Sequence, residues 1–176
     1  MRKLALATLF GAALTAQAHA QAPAVPEAMP FDIPYGTSIG LDDAQKAIIA
    51  AVTEAKKHNW KMSIDVVDPA GNLIAHATMD GTQYGSIKFS RAKARTAALF
   101  RRPTKIFQDV INGANGTASP SVLSIMPFDQ TAASEGGFPI VKDGKLVGAI
   151  GASGGISTQD AVTAKAGLTA LGVTAP

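Results

Sequence analysis

Two turn signatures, Asp68-Pro69-Ala70-Gly71-Asn72 and Asp143-Gly144, constrain the fold of this chain more than any other feature. Each stands between two runs of strand-forming residues, 62–67 with 73–79 and 138–142 with 146–152, the pattern of a β-hairpin. Connections this short reverse the chain and join only antiparallel strands, because parallel neighbours need a crossover of a dozen or more residues.

Helical periodicity fills the intervals. Leu41, Ala44, Ile48, Val52 and Ala55 repeat at helical spacing behind Gly40 as a cap. Asp42 and Asp43 favour the dipole at one end, and Lys56, Lys57 and Asn59 close the other. A second helix is predicted over 84–100, with Ile87, Ala94, Ala97 and Ala98 on one side. A third opens at Pro103 and ends at Asn112-Gly113. Ser157-Thr158-Gln159-Asp160 reads as a variant capping box opening a last helix that runs to Leu171. The order helix, hairpin, two helices, long loop, hairpin, helix predicts a single α+β domain over 41–172, with an antiparallel sheet built from two hairpins and flanked by helices.

The first residues read as an address. Met1-Arg2-Lys3, an apolar run over 4–16 and the A-x-A sequence Ala18-His19-Ala20 predict a signal peptide cut after Ala20, hence a periplasmic or secreted protein. The run is shorter than a membrane span, so no membrane span is expected. Pro23, Pro26, Pro30 and Pro34 make 21–40 an extended leader. Losing Arg2 and Lys3 with the signal lowers the formal charge from +3 to +1, which excludes a nucleic-acid footprint. The chain has no cysteine, which removes disulfide scaffolds, thiolate metal sites and cysteine nucleophiles together. One charge feature stands out: Lys88, Arg91, Lys93, Arg95, Arg101, Arg102 and Lys105 follow one another with no acid between Asp80 and Asp109. This run is read either as a solvated face or as an anion-binding wall that includes Lys93, Arg95, Arg101 and Arg102.

Other motifs bear on chemistry. Gly151-Ala152-Ser153-Gly154-Gly155 has the spelling of a nucleophile elbow, but no histidine follows Ser153, so it is read as a tight strand-to-helix turn. The free N–H groups of that helix start and the Ser153 hydroxyl are suited to a carboxylate or phosphate. His58 reads as a helix cap, and no metal site is expected. His76, between Ala75 and Ala77, is a candidate haem ligand against a flat face, set against the plainer reading of a half-exposed sheet residue. Glu135-Gly136-Gly137-Phe138-Pro139 ends the long loop and supplies a carboxylate beside two permissive glycines.

These motifs together resemble one family. Lys93-Ala94-Arg95-Thr96-Ala97-Ala98, Arg101-Arg102-Pro103-Thr104, the Glu135 to Pro139 turn, and Gly148-Ala149-Ile150-Gly151-Ala152-Ser153-Gly154 followed by Gln159-Asp160 look like the GlcG/HbpS family, the haem-degrading or DUF336 domain. The resemblance covers about residues 41–171. It implies a five-stranded or similar antiparallel sheet with flanking helices, assembly into dimers or larger oligomers, and haem or tetrapyrrole binding in some members. It also implies that Lys93, Thr96, Gly136, Gly137, Ser153 and Gly154 line a shared pocket, accompanied by Glu135.

The function expected is that of an exported, homo-oligomeric binding protein for a small anionic ligand, with haem the named cofactor and no catalysis. Lys93, Thr96, Arg102, Glu135, Gly136, Gly137, Ser153 and Gly154 are the expected ligand-binding residues. Ala75, Ala77, Ile125, Met126 and Phe128 are expected to cover the flat face. The alternative is an enzyme or accessory protein acting on a small hydroxy or oxo acid, as in glycolate metabolism, with Glu135 as the proton-transfer group. Phe89, Phe100, Phe107 and Phe128 exceed what one small core hides, which also points to self-association.

Overall fold

The computed structural model describes residues 25, 27–113, 123, 124, 127 and 131–175. The elements run α1 (Leu41–Lys57), β1 (Ser63–Val67), β2 (Leu73–Thr78), α2 (Gly85–Leu99), α3 (Lys105–Asn112), β3 (Gly137–Lys142), β4 (Lys145–Ser153) and α4 (Ser157–Ala170). The four strands form one antiparallel sheet in the order β2-β1-β4-β3, so the two hairpins lie side by side and meet through β1 and β4. This is the expected α+β architecture.

Side chains alternate along each strand, and the two faces differ. Ile64, Val66, Phe138, Ile140, Ile150 and Ala152 point to the layer of α1 and α4, where they pack with Ala44, Ala47, Ile48, Ala51, Ala164 and Leu168. Val67 and Ala149 point the other way, into a small cluster with Ala94, Ala97 and Ala98 of α2. Glycine makes that second contact close. A Cβ at Gly151 would meet the Ser90 carbonyl and the Ala94 amide of α2, so only a residue without one lets the helix lie so near β4.

Two helix starts differ from the sequence expectation. Pro103 lies outside α3, which begins at Lys105. There Thr104 turns its hydroxyl away to the carbonyl of Ser134 at 2.6 Å and accepts the Gly137 amide at 3.0 Å. For α4 the cap is Ile156, which has no polar side chain. Half a capping box survives, in which Gln159 accepts the Ile156 amide at 3.1 Å.

The end of the proline-rich leader belongs to the folded unit. Gly36 and Ile39 donate their amides to the carbonyls of Leu146 and Val147, Leu146 donates to Pro34, and Tyr35 bridges Leu146 in parallel. This segment fills the flank of β4 that β1 leaves open beyond Val67, and Ile39 enters the core. The signal segment and Ile125, Met126 and Phe128 lie outside the described residues.

Candidate functional site

The basic run is not an open anion-binding wall: Lys88 stays exposed and Lys105 pairs along its own helix, while the arginines and Lys93 reach named partners elsewhere in the chain. Arg91 donates to Asp65 at 3.2 Å, Arg95 to the carbonyl of Gly71 at 2.8 Å, and Lys105 to Asp109 at 2.6 Å. Arg101 reaches the leader, donating to the carbonyl of Ile33 at 3.0 Å and lying over the Tyr35 ring. Arg102 lies 4.2 Å over the Phe31 ring and 5.7 Å over that of Phe107, with its Nε on the carbonyl of Phe100. Burial and the charge of Arg101 both lower the pKa of Arg102. The Arg-Arg-Pro-Thr turn thus holds the leader.

Lys93 departs furthest from expectation. Its side chain is fully buried, and Nζ donates to Asp160 Oδ2 at 2.6 Å and to the carbonyl of Glu135 at 2.7 Å. Burial pulls the ammonium below its usual range, against the raising influence of Asp160 and Glu135. Burial also pushes the Asp160 carboxyl up, opposed by Lys93 and by the amides of Gly155 and Gly154. Gly155 donates to Asp160 Oδ1 at 3.0 Å. The start of α4 therefore carries an anion, supplied by the chain's own Asp160 and not by a ligand. Lys93, Glu135, Gly136, Gly154 and Gly155 converge on that carboxylate.

The remaining expected residues surround this pair. Gly136 has φ +123, and a Cβ there would lie 2.8 Å from Asp160 Cβ and 3.0 Å from Lys93 Nζ. Gly137 pairs with Gly151 at the start of β3. Thr96 donates to the carbonyl of Ala92 and accepts the amide of Ala132, tying the end of the long loop to α2. Glu135 is 8% exposed and its amide donates to Gln108, while among the described residues no hydrogen bond reaches its carboxylate. Ser153 is buried at the end of β4, opposite Ser63.

His76 belongs to a second cluster. Strand alternation places its ring on the α2 face, whereas Ala75 and Ala77 pack against the opposite core, so the expected flat face of His76, Ala75 and Ala77 does not exist. The ring lies across from Asp65 in the register, with Nδ1 3.1 Å from Asp65 Oδ1 and Nε2 2.8 Å from Thr78 Oγ1. Asp65 is fully buried and also accepts the Ser90 hydroxyl at 2.5 Å. Ser63 links Ser90, at 3.1 Å, to Thr78, at 3.2 Å. Sequence reasoning reached His76 and missed Asp65 and Thr78. The signal was their spacing, since residues two apart on paired strands share a face.

Two surface grooves flank the β2 edge. One, of about 490 Å³, lies between α1 and β2 and is lined by Leu41, Gln45, Ile48, Ile49, Ile74, Ala75 and His76. The other, of about 370 Å³, includes Val52, Lys56, Lys61, Ala77, Thr78 and Met79. Among the described residues, no helix is long and apolar enough to cross a membrane, and no cluster of His, Asp and Glu is placed to hold a metal ion.

The comparisons agree with this architecture. The chain is 40% identical over 111 residues to Protein GlcG of Escherichia coli K12, covering 62% of this chain and 77% of that protein. It is 31% identical over 131 residues to an uncharacterized 15.0 kDa protein of Citrobacter freundii, covering 74% and 90%. The crystal structure of a double mutant of Streptomyces reticuli HbpS superposes with a TM-score of 0.68 at 28% identity, over 85% of this chain and 98% of that one. A PduOC:haem complex superposes at 0.71 and 24% identity, over 79% and 99%, a likeness of fold. The model of the family described as haem degrading protein HbpS-like matches residues 39–169, and the chain belongs to that family.

Proposed function

We propose that this chain is an exported, homo-oligomeric protein that binds haem or a related tetrapyrrole. The observation that carries the reading is the groove between α1 and β2. Leu41 and Ile49 are 53% and 66% exposed there, although both belong to an amphipathic helix, and the groove floor is Ile48, Ile74 and Ala75. An open apolar groove of this size suits the edge of a flat ligand. The fit to haem is by apolar contact. His76 borders the groove, but its ring faces the other side of the sheet with both nitrogens engaged, so the proposal leaves it out of the iron's coordination. Lys93, Arg101 and Arg102 are likewise engaged within the chain, which leaves Gln45 and the solvent rim to meet the ligand's carboxylates. When bound, haem would supply its own redox chemistry, and the chain's residues would bind and shield it.

Titration of the mature protein with haemin tests the reading. A saturable Soret shift is expected, weakened about tenfold or more by Ile49→Glu, which places a charge in the groove. A spectrum identical to free haemin at equimolar protein would remove haem. Light scattering of the same sample is expected to report a multiple of the single-chain mass.

One observation favours a second reading, an enzyme acting on a small hydroxy or oxo acid. The nearly buried Glu135 carboxylate has no hydrogen bond of its own among the described residues, which leaves its oxygens available to exchange a proton with a bound acid. Proton NMR of 2-hydroxy and 2-oxo acids with the protein would show exchange or turnover, and no change with any of them would leave binding alone.

A further inference from the structure

Asp65 of β1 and His76 and Thr78 of the edge strand β2 form a relay. Asp65 lies behind the imidazole, fully buried and bonded to Ser90 and Arg91, and this fixes the ring. With Nδ1 donating to Asp65, Nε2 is the acceptor and takes the hydroxyl proton of Thr78 at 2.8 Å. Ser63, at 3.2 Å, holds the same hydroxyl from the other side.

The strand register adds two further features. The Met79 amide donates to the carbonyl of Met62, which sets the ladder's alternation: Ala77 pairs with Ile64 through the ladder, and His76 and Thr78 occupy the alternate, non-hydrogen-bonded sites. At those sites cross-strand side chains come closest, which explains the short contacts to Asp65 and Ser63. There also the backbone N–H groups of His76 and Thr78 point to the open edge of the sheet. Thr78 is exposed, with its hydroxyl on the α2 face beside His76 and Ser63, while Val52, Ala77 and Met79 of the 370 Å³ groove pack on the other side of the sheet.

We propose that this edge is an acyl-transfer site, with Thr78 as nucleophile, His76 as general base and acid, and Asp65 as the residue that positions His76. Its substrates are small, unhindered carboxylic esters, and it is separate from the haem reading. Thr78 Oγ1 attacks the ester carbonyl and its proton passes to His76 Nε2. The outward Thr78 N–H faces the developing oxyanion. Collapse expels the alcohol, which takes the proton from His76, and leaves the acyl group on Thr78 Oγ1 as an ester. Water then attacks this ester, giving up a proton to Nε2 that returns to Thr78 Oγ1 as the carboxylic acid departs.

The test uses haem-free full-length mature protein and p-nitrophenyl acetate. A burst of p-nitrophenol is expected, with one acetyl group mapped by peptide mass spectrometry to Thr78. Thr78→Val should abolish the burst and the adduct, and Thr78→Ser should keep both. His76→Gln should slow acylation by about a hundredfold or more, with the circular dichroism of each variant matching that of the parent. Acetyl groups on lysines alone, or an unchanged burst in a folded Thr78→Val protein, would overturn the proposal. Haemin binding by that variant reports on the other reading separately.

Discussion

Lys93 of α2 and Asp160 of α4 join at 2.6 Å although their helices cover opposite faces of the sheet. They meet around the end of β3, where Gly136 leaves the passage open. Each charge is removed from water, and each needs the other.

Breaking this pair should be costly. Lys93→Met or Asp160→Asn is expected to destabilise by about 3–5 kcal/mol, because one buried charge or polar group is left without its partner. The double variant Lys93→Met/Asp160→Leu should recover much of the loss. Urea unfolding of the three variants measures both.

Gly136→Ala should cost about 1–3 kcal/mol for its left-handed backbone. More is expected from the Cβ that would press on Asp160 and Lys93. Thermal unfolding checks the direction, and Gly144→Ala is the control: its φ is +71, but a Cβ there meets nothing within 4 Å.

Arg101→Ala/Arg102→Ala should loosen the leader and leave the core intact. Each contact over an aromatic ring is worth about 0.5–1 kcal/mol, so exchange of the Gly36 and Ile39 amides is expected to quicken by roughly tenfold. Unchanged protection of those amides would mean that their bonds to Leu146 and Val147 suffice alone.

Asp43 supplies a pH dependence. Its hydrogen bond and charge contact with Lys142 hold the carboxyl below its ordinary value of 3.8. The pair's contribution is therefore present above 3.8 and lost as pH falls through the lower folded value. In Lys142→Met the Asp43 titration, followed by NMR, should move up toward 3.8. The stability difference between the two proteins should vanish in acid.

Local chemistry made much of the fold legible. Asp42 and Asp43 at one end and Lys56 and Lys57 at the other bound α1 as observed, and each turn signature lies in its hairpin. Pairings between distant segments were not legible, and the site depends on them. Nothing local to Lys93 says that its charge ends on Asp160, or that Arg101 and Arg102 reach back to residues 31–35. The face of His76 was legible in principle, since alternation alone separates it from Ala75 and Ala77. Two apolar neighbours suggested a surface that the pleat divides.

The sheet order also bears on how the molecule folds. Each hairpin closes locally, but β1 and β4, the two central strands, belong to different hairpins and meet through pairs such as Val67 with Ala149. Closing so long a loop is entropically costly and slow. Until β4 has been synthesised and docked, β1 lacks one neighbour and the Ile64 and Val66 side chains lack much of their cover. The core-forming step is thus the joining of the two halves, and a chain stopped before Lys145, where β4 begins, should hold one hairpin and helices without a complete core.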